Sequence, residues 1–577
     1  MIKATSLTVG RWRVAEPPPE GFHLNLSGYV PPQAERLAAR LLYNRGLRSS
    51  TAARDFLDPD HPLEDPFDLP DMDIAARKLV VAARAGEAVG ICGDFDVDGL
   101  TGTAIIARLV SALGGTPLPY IPHREQDGHG VSLTAIEAFR EAGARLMVTV
   151  DTGTNAVGEV AAAKAAGLET IITDHHEPAA GGAGKWARPN ALAVVNPHLG
   201  AADGQVFLTG AGVALQLVYA ATGLGATQQE DALSLAALGT IADGAPLRGD
   251  NRVITSWGLD YLGKTRHPGL RALLNTSRPS GADGRPDTEL VSFYLAPRLN
   301  AAGRLGDAGP SLRLLMTVDA AEAEALAARL DQLNGERQRL AEVAWKSAKE
   351  QVEGASHEGR ALVVVRCDSV PAGLLGPLAG RLCEAHGKPA IALGAVEGGV
   401  RGSARSTASF DIHAAVAAQA GLLQRYGGHA RAAGFTVRLE DLDAVLGGLE
   451  RLASWASLAA DVRPAVEADA EARIGELGVP LWEFVEAMAP FGEGNRDPLF
   501  ISRRVQASQV RTMGATGKHL RLTLEEDGKA IEAVGFGLGD APLGNGRVDV
   551  AYTLRKNIWN GRSRRELGLK AVKPSTS

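Results

Sequence analysis

Short apolar runs that end in acidic or polar side chains recur in the first third of the chain, with helical patterns between them. Each run has the length of a buried strand, and the segment after the first run, Thr103–Leu113, has the composition of a helix. Strands that alternate with helices favour a parallel, doubly wound sheet, in which ligands bind outside the carboxyl ends of the strands. The sequence therefore predicts an α/β fold with a polar edge. The runs are Ala88–Ile91, Arg145–Val150, Glu169–Thr173 and Ala191–Val195.

The loop after the first run holds three carboxylates at alternate positions, Asp94, Asp96 and Asp98. Like charges this close repel each other, so we expect the loop to bind a divalent cation. An EF-hand calcium loop is one alternative, because Asp94-x-Asp96-x-Asp98-Gly99 matches the first half of that pattern. The second half fails, since Ile105 stands where a bidentate glutamate is needed. A solvated acidic turn is the other alternative.

Further acidic and histidine residues follow the later runs and a helical segment. Asp151 follows the second run, Asp174-His175-His176 follows the third, and Asp243 comes directly after the helical Ala236–Ala242. A single residue of this kind is often a turn or a helix N-cap. Because neighbouring parallel strands end at one edge of a sheet, however, we expect these side chains to meet the first acidic loop. A mixed carboxylate and imidazole cluster suits Mn²⁺ or Mg²⁺.

The length of 577 residues predicts three or four domains, because a single hydrophobic core does not grow to this size. The three cysteines are far apart in sequence, which argues against disulfides and against a cysteine-based zinc site and fits a reducing cytoplasm. No stretch has the length of a membrane span. The net charge of −7 is not typical of nucleic-acid binders, but residues 547–577 carry eight basic against two acidic side chains. This basic tail predicts a local phosphate-binding surface.

The second half of the chain predicts a long helix and then another α/β unit. Residues 309–354 have the longest helical pattern, in which Asp319 and Glu322 form a capping-box-like start. Strands are predicted at Ala361–Val365 and Pro389–Leu393, with the helix Leu374–Ala385 between them. The Arg- and Ser-containing segment 401–406 and the sequence Gly427-Gly428-His429 hold phosphate-binding residue types, although Gly-Gly by itself favours a plain turn.

The final section, from about residue 462, predicts a small β-barrel. Four short strands separated by Gly and Asp turns, between Gln506 and Arg555, are typical of an OB-fold. Trp559 stands among basic residues, where it would stack on a base beside charges that neutralise phosphate. A tryptophan that closes the barrel is the alternative interpretation of this residue.

Together these motifs resemble those of the DHH phosphoesterases. Gly93–Gly99, Asp151, Asp174-His175-His176 and Gly239–Asp243 are similar to motifs I to IV of that superfamily, and Tyr426–His429 is similar to its DHHA1 domain. Within the superfamily, the chain resembles the RecJ family of bacterial 5′→3′ exonucleases specific for single-stranded DNA. The resemblance runs from about residue 45 to the end. Supporting stretches are 65–67, 296–305 and 490–495.

The resemblance implies a function and a set of site residues. It implies hydrolysis of single-stranded DNA to 5′-mononucleotides, in DNA repair and recombination, with two Mn²⁺ or Mg²⁺ ions in each active site. His176 would contact the scissile phosphate or assist the leaving oxygen, and Asp174 would orient its neighbours. The implied metal ligands are Asp94, Asp96, Asp98, Asp151, His175 and Asp243. The implied contacts to the 5′-phosphate and the DNA are Arg298, Asn300, Arg304, Ser403, Arg405, His429 and, for base stacking, Trp559.

The resemblance also divides the chain and implies its partners. We expect an N-terminal lead-in packed on the core (1–85), a DHH catalytic domain (86–308), a linker helix (309–358), a smaller α/β DHHA1 domain (359–461) and an OB-fold-like DNA-binding domain (462–577). Single-stranded DNA is the implied ligand, and a single-strand-binding protein and a RecQ-type helicase are the implied protein partners. A cytoplasmic monomer without membrane association is expected.

Two departures from the family pattern affect expected DNA contacts. The Trp-His pair usual before the glycine is missing from Asp368–Gly376, where Ser369-Val370-Pro371 stand instead, and His129 stands where an aromatic tyrosine is expected. Two alternative functions remain open at this point. One is a DHH phosphodiesterase of short oligonucleotides or cyclic dinucleotides, against which the linker helix and the barrel argue. The other is a non-catalytic relative that only binds DNA or a replication partner, against which the intact acidic motifs argue.

Overall fold

The computed structural model of the chain describes residues 12–30, 32–123, 127–128, 130–179, 186–200, 205–223, 229–279, 284–354, 360–457, 466–514, 517–559 and 562–575. None of the described helices combines the length and the apolarity that crossing a bilayer requires.

The described elements include eighteen strands and eighteen α-helices, together with short 3-10 helices and one π-helical turn. The strands are β1 Trp12–Val14, β2 Ala88–Gly93, β3 Thr116–Tyr120, β4 Leu146–Val150, β5 Glu169–Thr173, β6 Ala193–Val195, β7 Val363–Arg366, β8 Ala390–Val396, β9 Gly399–Arg405, β10 Leu423–His429, β11 Ala432–Val437, β12 Val466–Ala468, β13 Ala470–Glu471, β14 Phe500–Met513, β15 His519–Glu526, β16 Lys529–Gly535, β17 Arg547–Trp559 and β18 Arg562–Pro574. The helices are α1 Glu35–Asn44, α2 Ser50–Leu57, α3 Met72–Arg84, α4 Val97–Ala112, α5 Leu133–Glu141, α6 Val157–Ala165, α7 Gly210–Thr222, α8 Gln229–Asp243, α9 Gly249–Lys264, α10 Pro268–Ser277, α11 Thr288–Leu290, α12 Ala296–Leu305, α13 Gly309–Met316, α14 Ala320–Gly354, α15 Ala372–His386, α16 Ile412–Ala417, α17 Leu442–Ser457 and α18 Val479–Ala487.

The first sheet has five parallel strands in the order β3-β2-β4-β5-β6. The strand order reverses between β2 and β4, and such a reversal leaves a crevice outside the carboxyl ends of these two strands. Asp94 follows β2 and Asp151 follows β4, so both acidic segments start at the crevice. The predicted doubly wound parallel sheet is therefore confirmed.

The edge strand β3 has no counterpart in the sequence predictions. Its sequence contains Pro117 and Pro119, which lack the N–H groups that a central strand needs. The structure accommodates both prolines because β3 pairs on one side only, with β2.

The helix after the acidic loop begins at Val97, six residues before the predicted start at Thr103. Asp96 is its N-cap, and its Oδ1 atom accepts hydrogen bonds from the N–H groups of Asp98 and Gly99. The run of carboxylates therefore crosses from a turn into the first turn of α4, and the helix N-terminus partly offsets its negative charge.

Two helices, α13 and α14, occupy the segment that the sequence predicts as one linker helix. Residues 317–319 interrupt the helical pattern between them. Asp319 accepts a hydrogen bond from the N–H of Glu322 at 2.7 Å, but the Glu322 carboxylate accepts from Thr317 and Arg313 instead of returning to Asp319. Only half of the expected capping box forms, because the preceding turn competes for Glu322.

The second sheet has the strand order β10-β11-β9-β8-β7, and only the pair β7–β8 is parallel. Helices α16 and α17 pack on one face, and α15 covers the β7–β8 half of the other face. Gly427 and Gly428 do not form the plain turn that the Gly-Gly pattern favours by itself. They lie inside β10, opposite Gly434 and Ala433 of β11, in a hairpin that leaves part of the second face open.

The C-terminal strands close into a barrel in the order β14-β15-β16-β18-β17, with β17 paired back to β14. The expected OB-fold is confirmed by this five-stranded closure. The basic segment after residue 547 is not a tail, because its residues form the long antiparallel hairpin β17–β18 of the barrel.

The N-terminal lead-in does not pack as one unit on the first sheet. Helices α1 and α2 bury their apolar side chains against the barrel, and β1 pairs with β12 beside it. Helix α3, in contrast, packs against the first sheet. The chain therefore contacts the barrel before it enters the first α/β unit.

Arg252 on α9 joins the first α/β unit to the lead-in and to the segment before the barrel. Its guanidinium donates to the carbonyl oxygens of Phe56, Met488 and Ala489 at 2.9–3.0 Å. The residue is 9% exposed, and burial lowers its pKa to about 9. Within the described chain, no carboxylate lies at ion-pair distance from it, so backbone carbonyl groups and the ring of Phe56, 3.8 Å from the guanidinium carbon, provide the compensation that a buried cation requires.

We expect Arg252→Ala to lower the free energy of unfolding by about 3 kcal/mol, since it leaves several buried carbonyl groups without donors. The measurement is the urea midpoint of the purified variant against the wild type. Lys264→Ala is the matched control, because it removes an exposed i,i+4 ion pair with Asp260 on the same helix and is expected to cost less than about 1 kcal/mol. Equal midpoints for the two variants would contradict the role of Arg252.

Candidate functional site

Three carboxylates meet at the crevice between β2 and β4. One side-chain oxygen from each of Asp94, Asp96 and Asp151 lies within 4.8 Å of the other two. Asp94 and Asp96 come from the turn before α4, and Asp151 comes from the turn after β4. This is the spacing of carboxylates that share a hard divalent cation.

A second group of possible ligands shares Asp151 with the first. Nitrogen atoms of His175 and His176 and an oxygen of Asp151 also lie within 4.8 Å of one another. Nε2 of His175 is 3.1 Å from Oδ1 of Asp151 and 3.8 Å from Oδ2 of Asp98. The two groups therefore meet at Asp151, as expected for a carboxylate that bridges two ions.

The backbone around Asp151 is specialised for this position. Its φ angle of 59° lies in the left-handed region, which non-glycine residues seldom adopt. Gly210, the first residue of α7, packs so closely that a Cβ atom there would lie 2.5 Å from Cβ of Asp151. Oδ1 of Asp151 accepts no hydrogen bond within the described part of the chain. A buried carboxylate oxygen without a donor, facing imidazole nitrogens, fits a cation ligand.

Asp98 lies beside these groups but has a different set of partners. Its Oδ2 accepts a hydrogen bond from the N–H of Gly210 at 2.7 Å, and its Oδ1 accepts from the N–H of Ala211 at 3.0 Å. Asp98 therefore binds the N-terminus of α7, where the helix dipole favours negative charge. Among the described residues, neither of the two groups of possible metal ligands above contains Asp98 or Asp243, whereas Asp94 belongs to the first group.

Asp243, the last residue of α8, interacts electrostatically with the same crevice. Burial raises its pKa, and the charge of Asp96 adds to this effect while His175, His176 and His429 oppose it. Helix α8 reaches the crevice because Gly239 lacks a side chain: a Cβ atom there would lie 2.6 Å from Oδ1 of Asp98.

The buried carboxylates destabilise one another's charged forms. Burial raises the pKa of Asp98 to about 6, with further increases from Asp243 and Asp96. Burial and the charge of Asp98 raise the pKa of Asp151 well above its ordinary value. Such a site is short of positive charge, and a hard divalent cation bound to it would displace protons. The donor set of carboxylate oxygens and imidazole nitrogens fits Mn²⁺ or Mg²⁺.

Asp174 and His176 form a hydrogen-bonded pair at the end of β5. Oδ1 of Asp174 is 2.8 Å from Nδ1 of His176 and also accepts from the N–H groups of His175 and His176. This bond raises the pKa of His176 to about 9. Burial opposes ionisation of Asp174, but the bond to His176 and the charges of both imidazoles outweigh burial and lower its pKa to about 2.

Two buried polar residues that sequence reasoning missed hold this pair in place. The N–H of Thr154 donates to Oδ2 of Asp174 at 2.8 Å. Nδ2 of Asn196 donates to Oγ1 of Thr154 and to the carbonyl oxygen of His176. The position of Asn196 directly after the fourth apolar run could have indicated its role. The closeness of Gly210 to Asp151 has no comparable signal in the sequence.

Three of the predicted DNA contacts lie on one face of the second sheet. In the β9–β11–β10 register, Arg405 is opposite Ala432, which is opposite His429, and Ser403 is opposite Gly434. The β11 residue between Arg405 and His429 is Ala432, whose side chain is small. Burial lowers the pKa of both residues, and the charge of Arg405 lowers that of His429 further. Because His429 interacts with Asp243 and Glu177, this basic face is turned toward the crevice.

The predicted contacts on α12 have mainly structural partners in this structure. Arg298 donates to Asp331 of α14 and to the carbonyl oxygen of Tyr294, and its side chain is only 15% exposed. Nη1 of Arg304 donates to the carbonyl oxygen of Gly373 at the start of α15. Asn300 is half-buried.

Two further residues that the sequence analysis singled out, His129 and Trp559, are not fully covered by the structure. His129 and the side chain of Trp559 lie outside the described residues, although the backbone of Trp559 ends β17. In the basic hairpin that contains it, Arg555 pairs with Glu289 and Lys556 pairs with Glu486, each at 3.1 Å. The phosphate-binding surface predicted there is therefore partly neutralised by the protein's own acids.

Family models match three successive parts of the chain. The N-terminal domain of the DHH family matches residues 88–240, the DHHA1 domain matches residues 359–454, and the RecJ OB domain matches residues 468–571. These ranges correspond to the first sheet, the second sheet and the barrel.

Two relatives that match over most of the chain are both named single-stranded-DNA-specific exonuclease RecJ. The single-stranded-DNA-specific exonuclease RecJ of Bacillus subtilis is 35% identical over 541 residues, which cover 92% of this chain and 67% of that protein. The exonuclease of the same name from Thermus thermophilus is 36% identical and covers 96% and 77%. The crystal structure of Thermus thermophilus RecJ with Mn²⁺ matches with a TM-score of 0.82 and 32% identity, over 98% of this chain and 80% of that one. The Mg²⁺ complex matches with a TM-score of 0.76.

We expect Asp174→Asn to lower the pKa of His176 from about 9 toward its ordinary value, because the imidazolium loses its carboxylate partner. Since the folded-state pKa of His176 is raised, its protonation stabilises the fold fully below about pH 6.5, and this contribution is lost as pH rises through about 9. The measurement is a histidine NMR titration of the metal-free protein, with His176→Gln for assignment. Glu177→Gln is the control, and an unchanged pKa in Asp174→Asn would contradict the pairing.

Proposed function

The chain belongs to the RecJ family of single-stranded-DNA-specific exonucleases, and we propose that it hydrolyses single-stranded DNA from the 5′ end at the crevice between β2 and β4. The observation that carries this proposal is the pair of ligand groups that share Asp151. Phosphodiester hydrolysis requires charge stabilisation on both the attacking and the leaving oxygen, and two ions held by a bridging carboxylate supply it.

In this proposal Asp94, Asp96 and Asp151 hold one Mn²⁺ or Mg²⁺ ion, and Asp151 and His175 hold the other. Asp98 and Asp243 complete the ligand set or orient it. The hydrogen bonds from Gly210 and Ala211 to Asp98 support an orienting role for that residue. When bound, the ions would neutralise the phosphate and lower the pKa of a water molecule.

His176 is the proposed contact to the scissile phosphate. The bond to Asp174 keeps its imidazole protonated at neutral pH and fixes the ring by Nδ1. Nε2 of the ring is then a hydrogen-bond donor for a phosphate oxygen or a proton donor for the leaving oxygen. Asp174 is a positioning residue in this scheme, and Thr154 and Asn196 fix Asp174 and the backbone of His176.

The 5′ end of the strand is proposed to bind the basic face formed by Ser403, Arg405 and His429. Arg405 has no carboxylate at ion-pair distance among the described residues, so its guanidinium is available for a phosphate. Arg298 and Arg304 are proposed to act less directly, since their present partners lie within the protein. Asn300 stays a proposed contact, and so does Trp559 on the barrel.

The other two functions find less support. A phosphodiesterase of short oligonucleotides or cyclic dinucleotides has no need for the barrel, which a longer strand would use. A non-catalytic binder has no need for the buried carboxylates, whose repulsion a bound cation would relieve.

We propose the expected domain boundaries (1–85, 86–308, 309–358, 359–461 and 462–577) with one change, that residues up to about 60 belong with the barrel. A single-strand-binding protein and a RecQ-type helicase are the proposed partners in DNA repair and recombination. A monomer in the cytoplasm is proposed, which agrees with three buried, unpaired cysteines.

We expect Asp151→Asn to reduce nuclease activity by at least about a thousandfold, because the shared carboxylate of both ligand groups is lost. Single-strand binding should persist, since the second sheet and the barrel are unchanged. The assay compares 5′- and 3′-labelled strands and blunt duplex with Mn²⁺, Mg²⁺ or a chelator. The matched control is Asp260→Asn, an exposed carboxylate on α9 that should leave activity unchanged. Digestion by wild type from the 3′ end, or equal attack on duplex, would refute the function.

We expect Arg405→Ala to raise KM for a 5′-phosphorylated strand by about tenfold or more, because a charge-assisted hydrogen bond to phosphate is lost. KM for the same strand with a 5′-hydroxyl should change little. Arg381→Ala is the control, since Arg381 is an exposed residue of α15 that pairs with Glu342. Equal effects on the two strands would show that Arg405 does not recognise the 5′-phosphate.

A further inference from the structure

Next to Asp243 lies a mostly apolar cleft of about 250 Å³ that the proposed chemistry does not use. Gly244 and Ala245, which follow Asp243 directly, line one part of it. Phe491 and Gly492, from the loop before the barrel, line another part, and Phe293 completes the aromatic lining. The cleft therefore lies between the candidate metal centre and the barrel.

The segment that carries Phe293 has an unusual backbone. Val291–Leu295 form a π-helical turn between α11 and α12, and turns of this kind are frequently found at functional sites. Val291 and Leu295 are buried, whereas the side chains at the middle of the turn point outward, with Phe293 63% exposed and Tyr294 38% exposed. Two neighbouring aromatic residues are thus held in solvent beside an apolar cleft, which is typical of a binding surface.

The walls of the cleft are fixed to each other before any ligand binds. Oγ1 of Thr288 donates to the carbonyl oxygen of Phe491 at 2.6 Å. The N–H of Leu247 donates to the carbonyl oxygen of Glu493 at 2.8 Å. These bonds connect the loop after Asp243 and the first residue of α11 to the segment before the barrel, so the cleft is preorganised.

The charges around the cleft indicate which part of a nucleic acid it accepts. Among the described residues that line it, the charged ones are Glu289 and Glu493, and none is a lysine or an arginine. A phosphate placed there would be repelled, whereas a base offers a flat ring for stacking and amino groups that donate to carboxylates. Outside the cleft, Arg555 of the barrel pairs with Glu289, so a cation for the sugar-phosphate backbone stands at its edge.

We propose that this cleft binds one base of the single strand, on the 3′ side of the scissile phosphate, by stacking on Phe293. The inference rests on the proposed function, in which the strand runs from the basic face of the second sheet, past Asp243, to the barrel. The cleft then fixes the register of the strand at each step, because the base must be seated before the phosphate meets His176. A stacked base is recognised without regard to sequence, which suits an exonuclease.

Fluorescence of 2-aminopurine tests the binding step without catalysis. The probes are 5′-phosphorylated single-stranded 12-mers, each with 2-aminopurine at a different position. Each is bound to the wild-type protein in the presence of a chelator, which prevents cleavage. We expect one position near the 5′ end to change its fluorescence, Phe293→Ala to abolish that change, and Phe293→Trp to retain it. The same change in Phe293→Ala as in wild type would overturn the proposal.

Abasic substitution at the position so identified tests the same contact in turnover. We expect the abasic strand to lower kcat/KM of wild type by about tenfold, the effect of losing one base stack. Phe293→Ala should show a similar loss on the intact strand and no further loss on the abasic strand. Additive losses would show that the base and Phe293 act separately and would overturn the proposal.

The control and the outcomes separate this inference from the proposed function. Trp455→Ala removes an exposed aromatic side chain from α17, which packs on the opposite face of the second sheet from Arg405, and should leave both readouts unchanged. Thermal denaturation checks that Phe293→Ala is folded, as its exposure predicts. Failure of the wild-type protein to digest single strands would refute the proposed function. If the wild type digests single strands and Phe293→Ala matches it in both the fluorescence change and kcat/KM, only the proposal that the cleft binds a base would be refuted.

Discussion

Repulsion among buried carboxylates is the constraint on which the centre of this molecule depends. Asp98 and Asp151 are buried at one crevice, which Asp243 borders from the end of α8, and desolvation together with the charge of neighbouring carboxylates raises the pKa of each of the three. The fold offsets part of this charge with backbone N–H groups: the N-terminus of α4 binds Asp96, and the N-terminus of α7 binds Asp98. Asp151 keeps an oxygen that accepts no hydrogen bond within the described residues, and this is the part of the charge that is left for a cation.

The second structural condition is that the two α/β sheets and the segment before the barrel come together near this crevice. The first sheet supplies the carboxylates and imidazoles, the second sheet turns His429 and Arg405 toward them, and the segment before the barrel packs against the loop that follows Asp243. Arg252 joins the last of these contacts to the lead-in through backbone carbonyl groups and through the ring of Phe56, whose centroid lies 3.8 Å from its guanidinium carbon. Loss of these contacts would leave several buried polar groups without partners, so they help to hold the first sheet, the lead-in and the segment before the barrel together.

The charge distribution explains how an acidic protein accommodates a polyanion. The net charge is −7, yet the second sheet and the hairpin β17–β18 carry basic residues, and these surfaces lie on the proposed path of the strand. Several barrel cations already pair with glutamates such as Glu289 and Glu486. A phosphate must compete with these acids, which favours exchange over tight retention and suits a substrate that has to move after every cleavage.

The sequence by itself determined the parallel sheet, the barrel and the identity of most candidate ligands, because strand periodicity and the position of acids after strands are local patterns. The sequence analysis missed the strand β3, whose prolines are tolerated only at the edge of a sheet. It also predicted one helix where α13 and α14 are separated by residues 317–319, a turn in which Thr317 and Arg313 donate hydrogen bonds to Glu322. The tertiary structure gives Asp94 and Asp98 different partners, since the donors to Asp98 come from Gly210 and Ala211, more than a hundred residues away in sequence. Contacts between distant segments likewise decided the positions of Thr154 and Phe293, because no local pattern records which helix or loop lies across a crevice.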